Sequence, residues 1–421
     1  MSKTSPKLDT NAGEAFHPAA AFHEITAFAY PITERQTLSV GLANGRVLAR
    51  DVATSIPLPP FDNSAVDGYG IAVSDVDRRP PVRLSVTSEI AAGAPPASAL
   101  RANEAVRILT GAAIPPGVTA IVMDEKCERV GDRLTVAVSV PSGANIRRRG
   151  EDIADGSTIV EAGILLDARH IAMLAASGTG TVELLRPVRV GILSNGNELR
   201  EAGEALVAGQ IYDANRPMLK AMLAGPWIDV IDLGRHRDDA ETLSRVFAEG
   251  ATRTDVIISS GGVAGSDADH IARAVGAAGG DVRRFRLSIK PGKPIVAGRI
   301  DRTAVLGLPG NPVSAIVDFL LFGRAMVAAT AGLPVAYPAG QKAVSAKPFA
   351  HTAGRAEFVP ARLVGLDRSG RPLVEMLEGG GAARLRPLIL SDGLAEIPSD
   401  MADVDADSMI TFHPLPGAFA S

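Results

Sequence analysis

The segment DVIISSGGVAGSDADH, Asp255–His270, decides the fold. Val256-Ile257-Ile258 is an apolar run of strand length. It ends in Ser259-Ser260-Gly261-Gly262, and Asp267 and Asp269 follow. A buried strand with glycines at its tip lets backbone N–H groups approach an anion, and carboxylates beside it suit a hard divalent cation.

Working outward, strand and helix signals alternate. Val188–Leu193 reads as a strand, Pro217–Leu223 as a helix and Ile228–Leu233 as a second strand. Asp239–Glu249 reads as a helix with Leu243, Val246 and Phe247 on one face. After the strand Asp255–Ser260, Asp269–Val275 opens a further helix. Pro294–Ala297 and Ala304–Leu308 are short strands around a turn at Arg299–Arg302. The last helix starts at Asn311-Pro312, a good cap and first residue, with Val313, Ile316, Val317, Leu320 and Leu321 at helical spacing. This alternation predicts an α/β unit over residues 187–330, a parallel sheet covered on both faces. Such sheets bind ligands at the carboxyl ends of their strands. Four segments converge there: Ser194–Glu198, Ser259–Gly262, Lys290–Lys293 and Gly307–Pro312.

The flanks read differently. Val82–Val86, Ala105–Leu109, Ala120–Met123 and Leu134–Val140 predict a β-rich unit, and Ala356–Leu363, Arg371–Met376, Gly393–Ile397 and Ser408–Phe412 a second one. Residues 21–54 and 161–180 lean helical. The expected division is a mobile leader 1–20, one domain from 21–56 and 142–186, a β-rich insert 57–141, the αβ domain 187–330 and a C-terminal β domain 331–421.

Composition narrows the function. A chain of 421 residues is too long for one core. A net charge of −4 supplies no field for nucleic acid, and 4% aromatics argue against stacking platforms for single strands. The single Cys127 excludes an intrachain disulfide and a multi-cysteine metal site. The His residues are scattered without HxxxH spacing, which disfavours a zinc enzyme. The N-terminus lacks a signal-peptide core and no apolar run approaches ~20 residues, so a soluble cytoplasmic protein without a membrane span is expected.

Other motifs have bland readings when taken singly. Asp67 in PPFDNSAVDGYGI (Pro59–Ile71) and Thr110 in Leu109-Thr110-Gly111 each suit a turn. Arg147-Arg148-Arg149 beside Glu151 and Asp152 suits a salt-bridged loop, although arginine forks also hold phosphates. Lys290-Pro291-Gly292-Lys293 places two compact charges on a rigid turn at the ligand edge and favours anion binding. In Leu308-Pro309-Gly310-Asn311-Pro312-Val313-Ser314, the Asn311 amide, the Ser314 hydroxyl and the backbone N–H groups are candidate donors.

Together with NIRRRGEDI, LSNGNEL and IYDANRPML, these segments occur in one order and spacing. The sequence resembles the molybdopterin molybdotransferase family, the MoeA proteins and the gephyrin E domain, from about residue 20 onward. The resemblance implies a MoaB/Mog-like αβ domain, a β-rich insert, a small helix-containing domain and a C-terminal β-barrel-like domain. It implies insertion of molybdate into adenylylated molybdopterin with release of AMP, assisted by Mg²⁺. It implies an elongated homodimer whose site lies between the αβ domain of one subunit and the insert of the other. It leaves room for contacts with the molybdopterin adenylyltransferase and with client molybdoenzymes. Carried over by motif, catalytic roles fall on Asp67, Thr110, Glu198, Asp238, Asp269 and Lys290, with Glu198 and Asp269 as metal ligands. Ligand-binding roles fall on Ser260, Gly261, Gly262, Arg286, Lys293, Pro309, Gly310, Asn311 and Ser314. Arg148 represents the basic loop, and which of Arg147–Arg149 faces ligand is left open.

Two departures stand out. Ala264 replaces a hydroxyl residue of the family's glycine loop, and Arg286 stands where the family often has Lys; guanidinium and ammonium are not equivalent at a tight oxyanion site. The related adenylyltransferase, a non-enzymatic scaffold and a sensor are the alternatives. The motifs at 59–71 and 145–152 disfavour the first, and the kept acidic and Lys290 positions disfavour the second.

Overall fold

A computed structural model describes residues 15–72, 74, 80–95, 98–263, 270–292, 294–377 and 383–415. The expected alternation appears as a six-stranded sheet. Its order is Ile228–His236, Val188–Asn195, Val256–Ser260, Thr303–Leu308, Pro294–Ile300 and Asp281–Arg286. The first four strands are parallel. The helices Asn215–Met222, Ala240–Ala251, His270–Ala277 and Pro312–Asp318 cover it. Val256 to Ser260 are all buried, as a strand covered on both faces requires.

The sheet is mixed, which corrects the purely parallel expectation. Pro294–Ile300 and Thr303–Leu308 run antiparallel, with Ile300 opposite Thr303. Only Asp301 and Arg302 join them, and Asp301 adopts φ 49°. A two-residue connection cannot return a strand in parallel. The edge strand Asp281–Arg286 was not foreseen. Its three arginines mask the signal, but Val282 and Phe285 are buried while Arg283 stacks 5.1 Å from the Phe285 ring. The reversal matters for the site. Because Pro294–Ile300 runs backwards, the Lys290–Gly292 turn before it lies at the same edge as the carboxyl ends of the parallel strands.

The insert is a six-stranded sheet in the order Ala120–Met123, Gly68–Ile71, Glu104–Ile108, Val82–Ile90, Arg133–Val136 and Cys127–Val130. Gly68–Ile71, read from sequence as part of a turn-rich motif, is one of its inner strands. At the other end, Ala356–Leu366, Pro372–Met376, Gln341–Ser345, Met409–Pro414 and Gly393–Ile397 follow in order, and the last closes back on the first to form a five-strand barrel. Ile289–Lys290 attaches to this barrel by pairing in parallel with Ala356-Glu357.

Part of the expected leader is ordered. Phe16 bridges Leu287, and Pro18–Thr26 is a helix whose Ala21, Phe22 and Ile25 sit in the core of the αβ unit. Residues 1–14 lie outside the described residues. Pro312–Thr330 is apolar enough by composition to cross a membrane, but 72% of its window is buried inside the protein, so it is a core helix.

Candidate active site

The carboxyl edge of the parallel strands opens into a cleft of about 1220 Å³, closed on its far side by barrel residues including Glu357 and Phe358. Each strand delivers its terminal residues to the cleft floor. Asn195 ends one strand, and its Nδ2 donates to Asp238 Oδ1 at 2.6 Å. Asn195 Oδ1 is buried and finds no partner among the described residues. Ser260 ends the next strand, and Gly261 and Gly262 follow at φ 99° and 67°. A Cβ on Gly261 would lie 2.2 Å from the Asn195 carbonyl oxygen, and one on Gly262 2.4 Å from Asn195 Nδ2. The chain therefore turns beneath Asn195 only because both residues are glycine.

Asn215, at the start of the following helix, ties two strand ends together. Its Nδ2 donates to Ser260 Oγ and to the Gly310 carbonyl, each at 2.7 Å, and Ser260 Oγ donates to the Pro309 carbonyl at 3.1 Å. The Ser260 hydroxyl is thus an internal brace rather than a free ligand donor. Asn215 Oδ1 is a second buried oxygen without a partner among the described residues. Asn311 caps the helix that begins at Pro312 by its backbone position, with no side-chain capping bond. Its exposed amide and Ser314 both line the cleft.

Behind this floor lies a charged brace. Asp213 accepts from Arg216 Nε at 3.1 Å and from the Ser194 hydroxyl, and Arg216 also reaches Asp232 at 2.6 Å and Glu201. Burial pulls Asp232 upward, but hydrogen bonds from Lys220 and Arg216 outweigh it and hold its carboxyl at about 2. Asp318 is different. It is fully buried beside Gly292, neither carboxyl oxygen has a partner among the described residues, and burial pushes it well above the usual carboxylate range. It packs beneath the Lys290–Gly292 turn, where burial favours the protonated form.

The expected site residues fall into two groups. Glu198, Asp238, Ser260, Gly261, Gly262, Lys290, Pro309, Gly310, Asn311 and Ser314 all line the cleft. Glu198 folds back over Gly196, where a Cβ would lie 2.8 Å from its Oε2. Asp67, Thr110 and Arg148 do not line it. Asp67 and Thr110 meet on the insert, because Gly68 pairs with Ile108, and Arg148 joins the insert through the neighbouring pairing of Ile146-Arg147 with Ser64-Asn63. Asp67 Oδ1 accepts from both Thr110 N and Thr110 Oγ1 at 2.7 Å, and these bonds hold its carboxyl below the ordinary value. Arg148 pairs with Asp62 at 2.7 Å. Arg286 ends the edge strand and is not a lining residue. Asp269, Lys293 and the departure at Ala264 lie outside the described residues. Among the described residues no three His, Cys, Asp or Glu side chains gather as metal ligands. Glu198 and Asp238 nonetheless offer hard oxygens to the cleft, the donor type that a hard divalent cation takes.

Sequence reasoning missed Asn215, Glu357 and Asp318 as parts of the site. Asn215 stands inside IYDANRPML and carried a signal; Glu357 and Asp318 sit in ordinary strand and helix text.

Comparisons with known proteins agree along the chain. Residues 17–178 match the MoeA N-terminal region (domain I and II), 191–329 a probable molybdopterin binding domain, and 342–415 the MoeA C-terminal region (domain IV). A molybdopterin molybdenumtransferase of Haemophilus influenzae is 33% identical over 91% of this chain and 94% of its own length. Molybdopterin molybdenumtransferase 2 of Mycobacterium tuberculosis is 34% identical over 89% of this chain and 93% of its own. The crystal structure of a molybdopterin biosynthesis MoeA protein from Pyrococcus horikoshii superposes with a TM-score of 0.78 at 26% identity, covering 96% of this chain and all of that one.

Proposed function

The chain belongs to the MoeA family and is a molybdopterin molybdenumtransferase of molybdenum cofactor biosynthesis, and from that premise we propose that its cleft takes adenylylated molybdopterin and molybdate and releases AMP. The observation that supports this reading is that the Gly261-Gly262 strand end and Lys290 open onto one cleft. The glycine turn presents backbone N–H groups to a phosphate. Lys290 offers a compact positive charge to the molybdate oxyanion, and the Asn311 amide and Ser314 hydroxyl orient it. Glu198 and Asp269, with Asp238, would hold Mg²⁺, which would supply neutralisation of charge on the pyrophosphate. The protein's own contribution is positioning and electrostatics. By the motif match, Arg286 and Lys293 add positive charge for the oxyanion. The substrates are a phosphorylated small molecule and an inorganic oxyanion, and the enzyme is cytoplasmic.

The second group, Asp67, Thr110 and Arg148, completes the site from another copy of the chain. In a symmetric homodimer each cleft faces the partner's insert, which gives these residues a ligand although they line no cleft of their own subunit. Dimers of Asp67→Ala and Glu198→Gln subunits, co-expressed with different tags, test this. Each homodimer is expected to be inactive, whereas a statistical mixture recovers about a quarter of wild-type turnover, since half the dimers carry one intact cleft. Absence of recovery in purified mixed dimers would mean that each subunit builds its site alone.

A further inference from the structure

The cleft contains an ion pair that the proposed chemistry does not require. Lys290 Nζ lies 2.8 Å from Glu357 Oε1. Backbone pairing holds the two together, with Lys290 opposite Glu357 in the short parallel ladder that joins the αβ unit to the barrel. Both residues line the cleft. Glu357 is 8% exposed, so its charge is poorly screened, while the Lys290 side chain is 58% exposed and free to swing. A buried carboxylate is a poor neighbour for a bound oxyanion, because like charges repel and burial strengthens the repulsion. Its retention beside the lysine of the anion turn calls for a role.

The far side of Glu357 suggests one. Its Oε2 lies 3.7 Å from His351 Nε2, and His351 is also buried. The imidazole is held in place by the Met401 carbonyl at 2.9 Å from Nδ1 and the Arg355 carbonyl at 3.3 Å from Nε2. Glu357 thus stands between a mobile cation on the cleft side and a fixed ring on the barrel side.

We propose that Glu357 is the resident counter-anion of the cleft, a positioning residue that holds Lys290 in the empty enzyme and yields it to the incoming oxyanion. This rests on the reading that Lys290 binds molybdate. While the pair is intact, Lys290 is pre-placed at the cleft wall and its charge is satisfied. When molybdate arrives, the ammonium turns from one carboxylate oxygen to the oxyanion, and Glu357 keeps its contact with His351. Every binding event must break the Lys290–Glu357 pair, so the pair weakens oxyanion affinity. It also favours dianions, since a monoanion gains too little from Lys290 to displace a carboxylate already in place. Glu357 thereby sets the KM for molybdate and the discrimination against small monovalent anions.

Equilibrium dialysis of molybdate against the full-length protein at fixed ionic strength tests the proposal, with Glu357→Gln and Lys290→Met beside wild type. Glu357→Gln removes the competing charge and keeps the shape. It is expected to lower the Kd for molybdate by about tenfold, or about 1.4 kcal/mol. In turnover it is expected to lower the KM for molybdate with no gain in kcat. Lys290→Met is expected to lose molybdate binding. If Lys290→Met loses binding while Glu357→Gln binds no more tightly than wild type, Glu357 is only part of the seam between the two units and the proposal is overturned. If Lys290→Met binds as well as wild type, the reading of Lys290 fails and the proposal with it. Glu357→Asp keeps the charge but withdraws it from Lys290 by one methylene; should the Gln variant not fold, a gain of about threefold is expected from Asp, and no gain overturns the proposal.

Discussion

Gly261→Ala is expected to lower kcat/KM by about a hundredfold or more while the insert sheet and the barrel remain folded. Gly261 sits at φ 99°, a conformation that an L side chain rarely adopts. Its added Cβ would lie 2.2 Å from the Asn195 carbonyl oxygen and 3.3 Å from Asn195 Oδ1. The nearer atom is backbone in a central strand, so it cannot move aside as a side-chain tip would. The strand end must shift instead, at a cost of about 3 kcal/mol or more from combined strain and overpacking. Two features move with it: the glycine turn that presents N–H groups, and Asn195, which fixes Asp238. Gly310→Ala is the matched control. There the nearest atom to a new Cβ is 3.6 Å away, an ordinary contact, so the variant is expected to fold like wild type. Steady-state kinetics and thermal melts of both variants distinguish a local distortion from general unfolding.

Arg216→Met is expected to cost about 3–5 kcal/mol of stability in the αβ unit, because it strands a buried carboxylate. The Asp213 side chain is only 2% exposed and would keep the Ser194 hydroxyl and the backbone N–H of residue 216, at 3.2 Å, but no cation. Asp232 is less affected, since Lys220 Nζ remains 2.8 Å away. Urea unfolding followed by Trp227 fluorescence reports on this unit, as Trp227 packs against its core. Adding Asp213→Asn to the variant should recover a large part of the loss, because no uncompensated charge is then buried. Equal stability of Arg216→Met and wild type would show the network to be solvent-compensated.

How much of this was legible in sequence depends on whether a residue's role is local. Val256–Ile258 running into paired serines and glycines announces a buried strand with a glycine tip at the ligand edge, and the structure shows that strand opening onto the cleft. Among the other parallel strands, Thr303–Leu308 carries a similar apolar signal. Asp281–Arg286 does not, because Arg283 stacks on aromatic rings and pairs with Glu24, so a packing role is carried by a half-buried charged side chain. The mixed sheet followed from a two-residue turn whose antiparallel consequence was not drawn. Gly68–Ile71 lay hidden because two of its four residues are glycine; its glycines are there for close packing, since a Cβ on Gly68 would meet the Val122 carbonyl at 2.0 Å. Glu357 could not be assigned from sequence at all. Its meaning comes from Lys290, which only the seam between the αβ unit and the barrel brings beside it.

The most direct test of the account is single-turnover release of AMP by purified protein given adenylylated molybdopterin, with and without molybdate and Mg²⁺. The account predicts AMP release that requires both, in step with formation of active molybdenum cofactor. Tight binding of the adenylate with no AMP release under any combination would contradict it, and would identify the cleft as a carrier site rather than an active site.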